Sequence, residues 1–197
     1  MRPNYAQDEP PAAISVGGIL YPCATDYRVW LDVLKMLGSL RTDDPEKAAE
    51  QLARIEETVF GGILTDEDPA ETIRAVAEFS KGYPSAPVQS TGNEERTYSF
   101  EYDLNEIVVA IRNQHGVDLS YRRTEPFHWW EFLLLFRTLA GDHRILNIME
   151  IRGYKGKDPE LRKLKRAYAL PEELTEKEKE EYEAFDALFE PQEAEDE

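Results

Sequence analysis

The segment EPFHWWEFLLLFRTL, residues 125–139, restricts the possible folds more than any other part of the chain. Pro126 suits the first turn of a helix, and no residue that breaks helices follows it before Gly141. The sequence therefore predicts a helix that starts near residues 124–126 and continues through the apolar run.

The two adjacent tryptophans of this segment lie on different faces of the predicted helix, because successive helical residues point about 100° apart. Trp129 shares a face with Phe132, Leu133, Phe136 and Leu139, and Trp130 shares a face with Phe127 and Leu134. A helix that is apolar nearly all round belongs in the interior of a domain. We therefore expect a central helix that contacts at least two layers of other helices.

Start and stop signals predict further helices along the chain. Aspartates that can cap the first turn of a helix stand at Asp26, Asp44, Asp68, Asp103, Asp142 and Asp158. Apolar residues at helical spacing follow them, and Gly116 is typical of a helix end. Residues 98–102 fit a short strand. The predicted fold is mainly α, a compact domain of about six to eight helices.

Composition divides the chain into three parts. Residues 1–18 contain three prolines and two adjacent glycines without an apolar period, which predicts a flexible arm. Residues 19–170 form the helical domain, and the stretch 82–97 within it is interpreted as a loop insertion. Residues 171–197 are predicted to form an acidic amphipathic helix followed by a disordered tail.

The chain is strongly acidic, with 40 acidic and 23 basic residues and a net charge of −17. This charge opposes attraction to nucleic acid and to anionic membrane surfaces. Cys23 is the only cysteine, which excludes an intrachain disulfide and fits a reducing cytoplasm. The N-terminus lacks the apolar run of a signal peptide. These features indicate a protein that works away from membranes and nucleic acid.

The charge is unevenly distributed near the C-terminus. Residues 152–166 contain seven basic and two acidic residues, whereas residues 171–197 contain thirteen acidic residues and two lysines. The two segments should attract each other, although the basic run could instead bind nucleic acid. An apolar stripe in the acidic segment either packs on the domain or meets a partner, and it consists of Tyr182, Phe185, Leu188 and Phe189.

Residues that could carry chemistry have simpler structural interpretations. His128 lies at a helix start among aromatic residues and is interpreted as structural. The histidines lack the spacing of a metal site, and the glycine pairs lack the pattern of a phosphate-binding loop. Cys23 has no evident base beside it, although a hydrolase that uses Cys23 or a histidine is a rival hypothesis. We expect no enzyme activity, no metal and no cofactor.

Three blocks of the sequence resemble the bacteriophage gene-product-fifteen family. They are YSFEYDLNEIVVAIRNQHGVDL, FHWWEFLLLFRTLAGDHRILNIMEIRGY and KDPELRKLKRAYALP. The earlier segment ILYPCATDYRVWLDVLKML is similar to the first helix of that family, in which a Thr-Asp pair precedes an aromatic residue and an arginine. The resemblance is strong over residues 97–171 and weaker over residues 19–40. Members of the family are small proteins encoded next to the tape measure gene of long-tailed phages and prophages.

The resemblance implies a role in tail morphogenesis in the cytoplasm of the bacterial host. The expected partners are the tape measure protein, a companion tail assembly chaperone, or both, and a homo-oligomer is left open. The family supplies no catalytic residues. The matching positions are interpreted first as fold determinants, and they are Asp118, Leu119, His128, Trp129, Trp130, Phe132 and Arg152.

We place the client of such a chaperone in a groove beside the Trp130 face, with contacts from Phe127, His128, Trp129 and Leu134. The stripe Tyr182–Phe189 would cover this groove when no client is bound. Two alternatives come from other classes of protein. One is a permanent component of the virion tail, and the other is an acidic DNA mimic that inhibits a DNA-binding protein of the host.

Overall fold

A computed structural model describes residues 5–40, 45–84 and 96–171, and all structural statements below concern these residues. They form a two-stranded sheet and seven helices, so the predicted mainly α fold is confirmed. The elements in chain order are β1 (Ala13–Val16), β2 (Ile19–Pro22), α1 (Tyr27–Gly38), α2 (Pro45–Phe60), α3 (Pro69–Phe79), α4 (Leu104–His115), α5 (Trp129–Arg137), α6 (Arg144–Gly153) and α7 (Pro159–Ala167).

The packing of the helices places α5 at the centre of the domain. α5 contacts both α1 and α4, α1 in turn contacts α2, and α4 contacts α6. α7 packs on α6 at the periphery, and β1 packs on α3. The prediction of a central helix with neighbours in at least two layers is therefore confirmed. Its buried residues are Trp129, Trp130, Phe132, Leu133 and Phe136.

Aspartate caps start three of the helices, as the sequence predicted. The carboxylate of Asp26 accepts a hydrogen bond from the N–H of Arg28, and Asp68 and Asp158 each accept two from the first turns of α3 and α7. Each satisfies backbone donors that have no partner within the helix. Gly116 ends α4 in the left-handed conformation, with φ 71°. The predicted cap at Asp44 lies outside the described residues.

An antiparallel hairpin occupies residues 13–22, where the sequence predicted a flexible arm as far as residue 18. β1 and β2 are joined by Gly17 and Gly18, with φ of 57° and 88°. Positive φ at both central residues is the geometry of a type I′ turn, which glycine adopts without steric cost. Ile14 and Val16 are buried in the core. The two glycines therefore make a tight turn and not a mobile linker.

The central helix begins later than predicted. Residues 124–127 are not helical, and α5 starts at Trp129 with His128 as its N-cap. His128 pairs instead with Asp26 in an isolated antiparallel bridge. This long-range pairing holds the backbone before Trp129 extended, and a local start signal such as Pro126 does not reveal it.

Three smaller predictions are also wrong. Residues 98–102 contain no strand and form a turn before α4. The side chain of Asp103 does not cap α4, because it is engaged elsewhere, as described below. His143 and not Asp142 precedes α6, and Asp142 accepts a hydrogen bond from the side chain of Asn147. Of the predicted loop 82–97, residues 85–95 lie outside the described residues, as do all residues of the predicted stripe Tyr182–Phe189.

Candidate functional site

The two tryptophans at the start of α5 bind the C-terminal end of α3. The indole N–H of Trp129 donates to the carbonyl of Ser80, and that of Trp130 donates to the carbonyl of Phe79, both at 2.9 Å. The last carbonyls of a helix have no partner within the helix itself. The tandem pair therefore satisfies two backbone acceptors of a neighbouring helix while its rings fill the core.

Aromatic side chains cover both indoles. Trp129 stacks on Phe132 with ring centroids 5.5 Å apart, and Trp130 lies 5.3 Å from Phe79 and 5.1 Å from Tyr83. Trp130 is only 7% exposed. Residues of the protein itself therefore cover the ring of Trp130. Phe127 and Leu134 are half-buried and also pack against the core.

His128 caps α5 with one ring nitrogen and binds the N-terminal segment with the other. Its Nδ1 accepts a hydrogen bond from the N–H of Trp130 at 3.0 Å, and its Nε2 lies 3.1 Å from the carbonyl of Pro11. Because Nδ1 accepts, the ring proton belongs on Nε2, which donates to Pro11. Burial lowers the pKa of His128 below its usual value of 6.5. The ring is thus a neutral structural element at neutral pH.

The two motifs that carry the family resemblance contact each other directly. The N–H of Tyr27 donates to the carbonyl of Phe127 at 2.8 Å, and the N–H of Trp129 donates to the carbonyl of Thr25 at 2.7 Å. Hydrogen bonds from Arg28 hold the pKa of Asp26 below its usual range, although partial burial opposes this effect. Backbone hydrogen bonds to the segment around Thr25–Arg28 therefore hold the His-Trp-Trp segment in place.

Other positions that match the family also have structural contacts. Leu119 is buried, and its carbonyl accepts a hydrogen bond from the Tyr27 hydroxyl at 2.7 Å. Phe132 stacks on Tyr27 with centroids 4.9 Å apart. Asp118 is exposed and accepts a hydrogen bond from the N–H of Ser120. Leu119 and Phe132 thus contribute to packing around Tyr27, whereas the hydrogen bond of Asp118 is local.

Arg152 and Asp103 form a buried ion pair, which sequence reasoning did not find. The guanidinium Nη2 lies 3.1 Å from Asp103 Oδ1, and Nε donates to the carbonyl of Tyr168 at 2.6 Å. Asp103 also accepts a hydrogen bond from the N–H of Ser99 at 2.8 Å. In the sequence, Arg152 looked like one member of a basic run and Asp103 looked like a cap. The family resemblance singles out Arg152 as a fold determinant but does not reveal its partner, because the two residues lie 49 positions apart.

A cleft of about 1200 Å³ lies between α1 and the turn that precedes α4. Its apolar lining consists of Leu31, Leu34, Tyr98, Phe100 and Leu104, and its charged lining consists of Arg28, Asp32, Lys35, Arg96 and Glu101. Lys35 Nζ pairs with Glu101 Oε1 at 2.6 Å and so links the two sides. This combination of apolar and charged side chains suits a peptide segment with an apolar face.

α7 differs from the other helices because none of its nine residues is buried. Leu161 is 39% exposed and Leu164 is 40% exposed, and basic residues surround them. The segment after the helix is held by Leu170, which is fully buried. α7 therefore presents an amphipathic face whose two leucines are only partly covered by the described part of the chain.

The described residues can be compared with the groups that metal binding and nucleophilic chemistry require. They contain no group of three or more histidine, cysteine, aspartate and glutamate side chains that could hold a metal ion. Burial raises the pKa of the Cys23 thiol to about 11, so the thiolate that a nucleophile requires is scarce at neutral pH. None of the helices within the described ranges combines the length and the apolar composition of a membrane-spanning segment.

Comparison with known protein families identifies a relationship over most of the chain. A family model described as Bacteriophage Gp15 protein matches residues 7–170. The match extends beyond the blocks in which we saw a resemblance, since it includes the hairpin and the stretch 82–96. It ends before the acidic C-terminal segment. No curated protein and no solved structure matches the chain.

Proposed function

Because the chain belongs to the Bacteriophage Gp15 protein family, we propose that it acts in phage tail morphogenesis. In this proposal it is a tail assembly chaperone, or the partner of one, that keeps the tape measure protein soluble in the host cytoplasm until tube subunits polymerise around it. The resemblance to proteins encoded beside the tape measure gene supports this choice of client.

The cleft between α1 and the turn before α4 is the proposed client site, and it is the observation that carries the proposal. Half-buried Leu31 and Leu34 line it together with Phe100. A helix with its side chains is about 10–12 Å wide and rises 1.5 Å per residue, so about ten residues of helix have a volume close to that of the cleft. A helical client could place one apolar face against these side chains.

The burial of Trp130 argues against a client site at the two tryptophans. Phe79 and Tyr83 already cover its ring, so a client could reach it only by displacing part of the core. Such a displacement would cost the contacts that hold α3 against α5. The cleft beside α1 requires no comparable rearrangement of the described residues.

The charge of the protein suits the proposed role. A net charge of −17 keeps a complex with an apolar client in solution through mutual repulsion between complexes. The repulsion acts on the surface as a whole and needs no particular residue. We therefore expect solubility of the complex to fall as salt screens the charge.

Co-expression with the tape measure protein of the same phage or prophage tests the proposal. We expect the tape measure protein to be soluble and to elute with this protein, and to lose both properties with the variant Leu34→Ser. The matched control is Leu146→Ser, since Leu146 is also half-buried against the core but does not line the cleft. Equal solubilisation by the wild type and Leu34→Ser would reject the cleft, and no solubilisation by the wild type would reject the chaperone role.

A permanent component of the virion tail is the second candidate. The hairpin supports it, because Ile19 and Leu20 of β2 are exposed aliphatic residues in a sheet of only two strands. A neighbouring subunit could add a strand to such a sheet. Mass spectrometry of purified particles separates the candidates, since a chaperone is absent from finished particles and a tail component is present in fixed copy number.

A further inference from the structure

The exposed face of α7 has the chemistry of a docking site for an acidic amphipathic segment. Leu161 and Leu164 are three residues apart and therefore lie on the same side of the helix. Lys163 and Arg166 are exposed and form no ion pair with any residue that the structure describes. A partner with apolar side chains and surrounding carboxylates would complement this face.

The chain itself carries such a segment, which begins immediately after the described residues. Residues 172–197 contain thirteen acidic residues and two lysines. The apolar residues among them include Tyr182, Phe185 and Phe189, whose spacing is that of one helical face. The segment is thus acidic where α7 is basic, and both segments have apolar residues at helical spacing.

The connection between the two segments is long enough for them to meet. Leu170 is buried beside the end of α7, so the chain leaves the domain close to the proposed docking face. Residues 171–181 can span about 36 Å when extended, whereas a nine-residue helix is about 13 Å long. A short tether of this kind keeps the acidic segment at an effective concentration in the millimolar range beside α7. Even a weak contact between the two is then favoured.

We propose that the Leu161 and Leu164 face of α7 is a docking surface whose occupant is the chain's own acidic segment, residues 172–197. The segment packs Tyr182, Phe185 and Phe189 against the two leucines, and its carboxylates face Arg162, Lys163 and Arg166. Docking removes a basic amphipathic face from solution and so prevents it from binding other acidic proteins or nucleic acid. This inference does not depend on the chaperone role.

Hydrogen–deuterium exchange of α7 in the full chain tests the contact. A nine-residue helix is only marginally stable without packing, so the double substitution Phe185→Ser and Phe189→Ser should accelerate exchange of the α7 amides about tenfold. The matched control, Ile19→Ser with Leu20→Ser, removes two exposed apolar side chains from the hairpin and should leave α7 unchanged. Unaltered exchange in α5 verifies that both variants are folded.

A second variant examines the same contact from the side of α7. Leu161→Ser with Leu164→Ser should release the acidic segment and make its glutamates about tenfold more sensitive to a glutamyl endoprotease. Raising sodium chloride from 0.05 M to 0.5 M should accelerate both exchange and cleavage in the wild type, because the charges are screened.

Three results would overturn the proposal. The first is equal α7 exchange in the wild type and in the Phe185→Ser, Phe189→Ser variant. The second is protection of α7 that disappears on hundredfold dilution, which would assign the occupant to a second copy of the chain. The third is protection that appears only after an acidic partner or nucleic acid is added, which would assign the face to that partner.

Discussion

Substituting Arg152 by methionine should destabilise the protein by about 3–5 kcal/mol, because the carboxylate of Asp103 would remain buried without its counter-charge. Arg152 is 8% exposed and Asp103 is 4% exposed, so water cannot replace the lost partner without local unfolding. The substitution also removes the donors to the carbonyls of Tyr168 and Thr97. Typical domains unfold with about 5–15 kcal/mol, so the loss is a large fraction of the total.

A double-mutant cycle separates the cost of the unpaired charge from the cost of lost packing. Asp103→Asn keeps an acceptor for the N–H of Ser99 and removes the negative charge. In the Arg152→Met variant, Asp103→Asn should therefore reduce the free energy of unfolding much less than it does in the wild type. We expect the double variant to be more stable than the sum of the single effects by at least about 1 kcal/mol.

Urea unfolding followed by tryptophan fluorescence measures these free energies, since Trp30, Trp129 and Trp130 are all buried. The matched control is Arg54→Met, because Arg54 is exposed on α2 and its loss should change stability by less than about 0.5 kcal/mol. A loss below about 1 kcal/mol for Arg152→Met, or strict additivity in the cycle, would refute the assignment of a coupled buried pair.

Three further predictions concern single residues. The pKa of His128 is lower in the folded protein than its usual 6.5, so the unfolded chain binds this proton more tightly and stability should fall as pH decreases below about 6.5. His128→Asn retains a capping side chain and should reduce this fall in urea midpoints between pH 7 and pH 5; an identical fall would contradict the role of the ring. Gly82→Ala should cost at least about 1 kcal/mol in urea unfolding, because Gly82 has φ 71° and an added Cβ would lie 2.8 Å from Leu133 Cδ1; an unchanged midpoint would argue against this conformation. In the folded protein at pH 7.5, Cys23 should react with a thiol reagent at least about tenfold more slowly than in the urea-unfolded chain, since burial raises its pKa to about 11. Equal rates in the two states would show that the thiol is accessible.

The features that the sequence predicted correctly depend on neighbouring residues. Asp26, Asp68 and Asp158 each accept a hydrogen bond from an N–H only two or three residues further along the chain. Gly116 ends α4 because only its own backbone conformation matters there. The central position of α5 follows from its apolar composition, which leaves no face suited to water.

The features that the sequence did not predict depend on distant residues. The start of α5 is set by the pairing of His128 with Asp26, and Asp103 is diverted from capping by Arg152. The hairpin is different, because Gly17 and Gly18 between two short apolar runs are a recognisable signal for a type I′ turn. There the local signal is present, although the composition of residues 1–18 as a whole is typical of a flexible arm.

The pairing of the Asp26 segment with the Phe127 segment also has a consequence for the timing of synthesis. These two residues are 101 positions apart, and ribosomes add about 5–20 residues per second. Roughly 5–20 seconds therefore pass between the synthesis of the first segment and that of its partner. During this interval the apolar side chains of α1, including Trp30 and Val33, lack the central helix that later buries them. A nascent chain of this protein therefore keeps these apolar side chains without their cover until the segment of the central helix has been made.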